Sequence, residues 1–159
     1  MTQDTLGTQH LRPAIGRPIR ILLVEDSPSD VAMTVAALRD GRIANVMYTV
    51  GDGVSAMEFL RGVESYVGVP RPDLILLDLN LPRKDGHEVL AEIRADHDLT
   101  TIPVVMLTTS SAESDVLASY RLHANSYVTK PVGYDAFLTA IRGIEDFWLS
   151  LVLLPSAAH

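Results

Sequence analysis

The sequence predicts an α/β fold in which a five-stranded parallel sheet carries helices on both faces. Five short apolar runs, several of them rich in Ile, Val and Leu, have the composition of strands that are buried on both faces. Longer segments with helical spacing of apolar residues lie between these runs. Strict alternation of strand and helix is typical of a parallel sheet whose crossover helices cover both faces.

Each element follows from its own local pattern. The predicted strands are Ile19–Val24, Val46–Val50, Leu74–Leu77, Val104–Leu107 and Tyr127–Thr129. The predicted helices are Pro28–Arg39, Val54–Arg61, Gly86–Ala95, Glu113–Leu122 and Tyr134–Leu154. Ser27 followed by Pro28 is also the pattern of a helix N-cap with proline at the first position, and Asp85–Gly86 is typical of a turn that starts a helix.

Composition indicates one soluble domain. The chain has 159 residues, 47% of them hydrophobic, and 13 basic against 20 acidic residues give a net charge of −7. That charge argues against nucleic acid or an anionic membrane as a partner. No run approaches the roughly 18 apolar residues of a membrane span. The absence of cysteine excludes disulfides and thiolate chemistry and suits a cytoplasmic protein.

Three segments organise the chain. Residues 1–18 are rich in Thr, Gln, Gly and Pro without apolar periodicity, which predicts a mobile N-terminal tail. Residues 19–155 form the folded domain with a long last helix, and residues 156–159 form a short C-terminal tail. We therefore expect no attached DNA-binding or enzymatic output domain.

Polar residues follow four of the predicted strands. Glu25–Asp26 follow the first strand, Asp78 the third, Thr108 begins a hydroxyl run at the end of the fourth, and Lys130 follows the fifth. In a parallel sheet these ends share one edge, where ligands bind. Clustered carboxylates repel one another unless a cation screens them. Oxygen ligands without His or Cys favour a hard cation such as Mg²⁺.

The stretches LLVEDSPSD, LILLDLNLPRKDG, PVVMLTTSS and ANSYVTKPV resemble the receiver domain of two-component response regulators, from about Arg20 to the C-terminus. The resemblance implies the flavodoxin-like receiver fold with strand order 2-1-3-4-5. It also implies that Asp78 accepts a phosphoryl group from a sensor histidine kinase. Glu25 and Asp26 would hold Mg²⁺ together with the Asp78 carboxylate and the backbone carbonyl of Asn80.

The same resemblance implies roles for residues on the last two strands. Lys130 would pair with Asp78 and then with the phosphoryl oxygens, and Thr108 would hydrogen-bond the phosphoryl group once it is present. Tyr127 lies three residues before Lys130, where the family often carries an aromatic side chain that turns inward on phosphorylation. For Tyr127 the alternative is a tyrosine selected only for strand propensity.

The end of the last predicted helix is apolar on nearly every face. This apolar surface is larger than the surface that packing on one sheet can bury. Such a surplus predicts an interface, and twofold pairing of identical chains is the commonest way to cover it. We therefore expect a homodimer; the alternative is a helix that bends back over its own domain. The predicted interface residues are Phe147, Trp148, Leu149, Val152 and Leu153. The ending EDFWLSLVLLP, together with PRPDLILLDLNLPRKDGHEVLAEIR and VVMLTTSSAES, resembles single-domain regulators paired with phytochrome-type histidine kinases.

Three other functions compete with this interpretation. A haloacid-dehalogenase-like phosphatase has its nucleophilic Asp after the first strand and a second Asp two residues later. In this chain Asp78 follows the third predicted strand, and the residue two positions later is Asn80. An FMN-binding flavodoxin needs a phosphate loop where this chain has EDSPSD, whose acids would repel phosphate. A receiver-like interaction module that is never phosphorylated is the third. We expect a protein without a separate enzymatic substrate.

Overall fold

The computed structural model describes residues 17–108, 126–129, 135–136 and 138–146. Its strands are β1 (Ile19–Val24), β2 (Asn45–Val50), β3 (Leu74–Leu77), β4 (Val104–Thr108) and β5 (Ser126–Thr129). Its helices are α1 (Pro28–Arg39), α2 (Gly53–Arg61) and α3 (Gly86–Ala95), with a 3₁₀ turn at Glu64–Tyr66. Residues 135–136 and 138–146 are also helical and are called the C-terminal helix.

The strands form a five-stranded sheet in the order β2-β1-β3-β4-β5. Each adjacent pair is parallel, and β1 and β3 lie side by side at the centre, with Val24 opposite Leu77. The predicted parallel α/β fold is confirmed. The predicted helix Glu113–Leu122 lies outside the described residues.

Strand β2 corrects the expectation that the apolar runs are buried on both faces. Val50 is the buried residue of this strand, and Val46 is 41% exposed. The cause is the strand order, because β2 lies at the edge of the sheet and has a neighbour on one side only. The described bounds otherwise differ from the predicted ones by single residues: β2, α2 and β5 begin one residue earlier and β4 ends one residue later.

Two apolar layers cover the two faces of the sheet, because alternate side chains of a strand point to opposite faces. The layer beneath α2 and α3 contains sixteen buried residues: Leu22, Val24, Val50, Ala56, Met57, Phe59, Ile75, Leu77, Leu79, Val89, Leu90, Ile93, Leu99, Ile102, Val104 and Met106. The layer beneath α1 and the C-terminal helix contains twelve: Ile19, Ile21, Leu23, Ala37, Leu38, Ile43, Leu74, Leu76, Val105, Leu107, Ile141 and Ile144. The central strands are thereby fixed on both sides.

The first turns of three helices are capped by side chains. Ser27 accepts a hydrogen bond from the Asp30 backbone at the start of α1, and Asp52 accepts one from the Ser55 backbone at the start of α2. Asp85 forms a reciprocal capping box at the start of α3. Each cap satisfies an N–H group that the helix itself leaves without a partner. Because each helix follows a parallel strand, these capped ends lie at the carboxyl edge of the sheet.

The first described residues are attached to the sheet. Arg17 falls in the predicted tail, and its guanidinium binds the Asp73 carboxylate at 2.7 Å; this contact raises the pKa of Arg17. Asp73 also accepts a hydrogen bond from the Arg20 backbone at 2.8 Å. Within the described ranges, no helix has both the length and the apolar character required to cross a bilayer.

Candidate functional site

The backbone amides of two acidic residues are held by carbonyl groups at the ends of neighbouring strands. The Asp78 amide donates to the Val24 carbonyl at 3.0 Å, which extends the β1–β3 pairing past the end of β3. The Glu25 amide donates to the Val50 carbonyl at 3.0 Å and extends the β1–β2 pairing in the same way. Both residues therefore begin at defined positions on the carboxyl edge of the sheet.

Three carboxylates meet at this edge. One oxygen each of Glu25, Asp26 and Asp78 lies within 4.8 Å of the others. Glu25 and Asp78 are only 4% and 6% exposed, whereas Asp26 is exposed to solvent. The Ser27 amide donates to Glu25 Oε2 at 3.2 Å, so the helix start also orients the cluster. Ser27 is thus an N-cap, as one interpretation of the sequence predicted, and the same turn helps to build the site.

The composition of this cluster fits a hard divalent cation. Its donors are all carboxylate oxygens, which Mg²⁺ prefers over nitrogen or sulfur. Two of the three acids are buried, and a cation relieves the mutual repulsion of such closely spaced charges. One exposed carboxylate leaves the site open to solvent, as a metal that retains water and takes up a phosphate oxygen requires.

The other predicted site residues are described to different extents. Asn80 is exposed, two residues after Asp78. Thr108 is the last residue of β4 and lies opposite Thr129 in the β4–β5 pairing, while Tyr127 lies opposite Met106. The backbone of Thr108 therefore reaches the same edge as Asp78. Lys130 and the side chains of Thr108 and Tyr127 lie outside the part of the chain that is described.

Gly86 allows helix α3 to begin directly against the acceptor strand. Its amide donates to the Leu79 carbonyl at 2.8 Å, and a Cβ at this position would lie 2.3 Å from the Asp78 carbonyl oxygen. That separation is far below van der Waals contact, so a side chain here would push α3 away from Asp78. The glycine predicted to start the helix therefore also shapes the site.

Two residues beside the site were not identified from the sequence. Asp52 follows β2, and its carboxylate pairs with Arg83 Nη1 at 3.3 Å, in the loop that follows Asp78. Burial raises the pKa of Asp52, but hydrogen bonds from Ser55 and the charge of Arg83 outweigh it, so the pKa is lowered. The available signal was position, because Asp52 stands after a strand like the other site acids. The partner Arg83 has no comparable signal.

The C-terminal helix carries a second acid that the sequence did not identify. Ile141 and Ile144 pack on the sheet as their spacing predicted, but Glu145 is also buried, with 3% exposure. Its carboxylate accepts hydrogen bonds from the Arg42 and Ile43 amides. All five predicted interface residues, between Phe147 and Leu153, lie outside the described residues.

Comparison with known proteins places this architecture in a family. The profile of the response regulator receiver domain matches residues 21–142. Response regulator Rcp1 of Synechocystis sp. (strain ATCC 27184 / PCC 6803 / Kazusa) is 51% identical over 140 residues, which cover 88% of this chain and 95% of that protein.

Solved structures agree with the sequence comparison. The crystal structure of the phosphorylated cyanobacterial phytochrome response regulator RcpA has a TM-score of 0.80 and 47% identity, covering 85% of this chain and 96% of that one. The Mn²⁺-bound form of Rcp1 has a TM-score of 0.78 and 51% identity, covering 83% of this chain and 95% of that one. One of these two similar structures is a phosphorylated form and the other is a Mn²⁺-bound form.

Proposed function

Because the chain belongs to the family of response regulator receiver domains, we propose that Asp78 accepts a phosphoryl group from the phosphohistidine of a sensor histidine kinase. The observation that supports this most directly is the approach of the Glu25, Asp26 and Asp78 carboxylates to within 4.8 Å. Such a cluster at the end of β3 provides both a nucleophile and ligands for a cation. In this proposal the phosphoryl group is transferred to the protein's own Asp78 carboxylate, and the protein has no separate substrate.

In the transfer, one Asp78 oxygen forms a bond to phosphorus while the bond from phosphorus to the histidine nitrogen breaks, with its electron pair left on nitrogen. Glu25, Asp26, the Asp78 carboxylate and the Asn80 carbonyl would hold Mg²⁺. When bound, Mg²⁺ supplies positive charge that offsets the charge on the phosphoryl oxygens.

Residues at or just after the ends of β4 and β5 would contact the new phosphoryl group. We assign Lys130 to the phosphoryl oxygens as a point charge and Thr108 as a hydrogen-bond donor to them. Tyr127 would change orientation when Thr108 moves, which converts a local charge into a change of surface. Backbone pairing of β4 with β5 places Thr108 opposite Thr129, the residue before Lys130, and this supports a shared role.

We propose a phytochrome-type histidine kinase as the phosphoryl donor. The support is similarity to the phytochrome response regulator RcpA at 47% identity over 85% of this chain. We also propose a cytoplasmic location, with which the cysteine-free composition agrees. Phosphotransfer from a purified phytochrome-type kinase should be much faster than from an unrelated histidine kinase. Equal rates would contradict the proposed partner.

We further propose a homodimer that uses the apolar residues following the described C-terminal helix. These residues, all within the seven positions after Asp146, are Phe147, Trp148, Leu149, Val152 and Leu153. Ile141 and Ile144 already occupy the face toward the sheet. The apolar residues that follow therefore exceed what one face can bury, and a second copy would cover them.

Acetyl phosphate with Mg²⁺ tests the proposed chemistry. Intact mass spectrometry should show a gain of one phosphoryl group, which disappears when the metal is chelated. Asp78→Asn should abolish this gain, and Asp98→Asn, at an exposed loop position after α3, should leave it unchanged. Full labelling of Asp78→Asn would assign the acceptor elsewhere. A wild-type protein that takes no phosphoryl group from acetyl phosphate or a kinase would favour an interaction module without phosphorylation.

A further inference from the structure

The segment between Asp78 and α3, residues 79–85, is called the acceptor loop. Helix α3 holds one side of it, because the Gly86 amide donates to the Leu79 carbonyl at 2.8 Å and Lys84 pairs with Glu92. These contacts fix the two ends of the loop. Asn80, the second residue of the loop, is exposed to solvent.

Helix α2 holds the loop from the opposite side. The Gly53 amide donates to the Pro82 carbonyl at 3.4 Å. A Cβ on Gly53 would lie 2.0 Å from the Lys84 carbonyl oxygen, so the loop occupies the space that any side chain at Gly53 would need. Next to this contact, Arg83 Nη1 lies 3.3 Å from Asp52 Oδ2. The start of α2 and the acceptor loop are therefore fitted to each other.

The backbone of Arg83 has a conformation of raised local energy, which contacts of the loop must maintain. Its φ is 69°, in the left-handed region that non-glycine residues rarely adopt. Asp52 is well placed to maintain it, because its carboxylate is fixed by the Ser55 amide at 2.7 Å and the Ser55 hydroxyl at 3.0 Å.

We propose that Asp52, Gly53 and Arg83 are positioning residues for the proposed phosphorylation site, acting through the acceptor loop on the Asn80 carbonyl and on Asp78. This inference rests on the function proposed above. With the α2 contacts in place, the loop is ordered before metal arrives. Without them, cation binding has to order the loop and bears the entropic cost of doing so.

Three variants test the ion pair between Asp52 and Arg83. Arg83→Gln removes the positive charge and Arg83→Lys retains it. Asp52→Asn removes the negative charge but retains an oxygen that can cap helix α2. We expect Arg83→Gln and Asp52→Asn to weaken Mg²⁺ binding and slow phosphorylation by acetyl phosphate about two- to fivefold, the range for an exposed pair. Arg83→Lys should recover most of the loss. An amide NMR titration with MgCl₂ measures the affinity, and intact mass spectrometry measures the rate.

The backbone contact is tested by Gly53→Ala, whose Cβ must displace the Lys84 carbonyl. We expect a loss of about tenfold or more in phosphorylation rate, since small displacements of reacting groups are costly. Arg17→Gln is the matched control, because Arg17 also pairs with an Asp carboxylate, that of Asp73 at 2.7 Å, but before β1 and β3, at the edge of the sheet opposite the site. It should leave affinity and rate unchanged.

The outcomes separate this inference from the proposed function. Wild-type Mg²⁺ affinity and rate in Arg83→Gln and Asp52→Asn would overturn the positioning role, as would equal losses in Arg17→Gln. Urea unfolding identifies a purely structural effect, which would lower stability in Arg83→Gln without changing either readout. If Gly53→Ala does not fold, the comparison of Arg83→Gln with Arg83→Lys tests the positioning role in its place. A wild-type protein that is not phosphorylated refutes the proposed function instead.

Discussion

Replacement of Glu145 is the sharpest test of how the C-terminal helix is attached. This carboxylate is 3% exposed and belongs to a helix packed over the sheet. Its Oε2 atom accepts hydrogen bonds from the Arg42 amide at 2.9 Å and the Ile43 amide at 3.2 Å. A Cβ on Gly41 would lie 2.2 Å from the same oxygen, so the turn before β2 closes tightly around the carboxylate.

The expected loss of stability follows from these contacts. Glu145→Ala leaves the buried Ile43 amide and the part-buried Arg42 amide without their acceptor, and a buried orphaned donor costs about 1–3 kcal/mol. The Arg42 side chain is 40% exposed and lies 3.7 Å from Glu145, so this pair adds little. We expect a loss of about 3 kcal/mol, or a melting temperature lower by about 6–12 °C for a domain of this size.

Two further substitutions separate hydrogen bonding from charge. Glu145→Gln retains an oxygen that reaches both amides and should cost only about 1–2 kcal/mol, the difference between charged and neutral acceptors. Asp146→Ala is the control, since Asp146 also pairs with Arg42 but is 64% exposed, and it should cost less than about 1 kcal/mol. Urea unfolding followed by circular dichroism measures all three. A Glu145→Ala protein no less stable than Asp146→Ala would refute this reasoning.

Four further predictions concern the site and the interface. Asp26→Asn should weaken Mg²⁺ binding by roughly tenfold while the acceptor Asp78 remains intact. A wild-type Mg²⁺ affinity of this variant in the NMR titration would show that Asp26 is not a ligand. Thr108→Ala should still be phosphorylated, and its amide spectrum should change less than that of the wild type. The double variant Trp148→Asp with Val152→Asp should be monomeric by light scattering at micromolar concentration while remaining helical, and a monomeric wild type, phosphorylated or not, would contradict the dimer. Because the pKa of Asp52 is lowered on folding, its stabilisation exists above about pH 4 and is lost as pH falls through the folded pKa; the unfolding free energies of wild type and Asp52→Asn should converge there.

The central elements could be predicted because their signals are local. Strands β1 and β3 are continuous apolar runs, and their bounds match the predicted ones because both strands are buried on both faces. Helices α1 and α3 also match, since Ser27–Pro28 and Asp85–Gly86 specify where a helix begins. In each case the residue types that determine the element lie within the element or next to it.

The carboxylate cluster could also be predicted, although Asp78 lies 52 residues after Asp26 in the sequence. In a parallel sheet every strand ends at the same edge, so a polar residue after each strand is enough to locate it near the others. The structure brings Glu25, Asp26 and Asp78 together as this rule predicts. The rule applied equally to Asp52 after β2, yet its role depends on Arg83, for which the sequence has no such marker.

The succession of strands and helices, and the edge where the acids meet, follow from the amino-acid sequence alone, because burial and helix capping depend on residues that are neighbours in the chain. The burial of Glu145 and the contact of Arg83 with Asp52 become visible when the chain is folded. Both are charged residues whose pattern along the chain indicates solvent. They become buried or paired because a particular turn presents backbone amides or a carboxylate to them, and the approach of those elements depends on packing over the whole sheet.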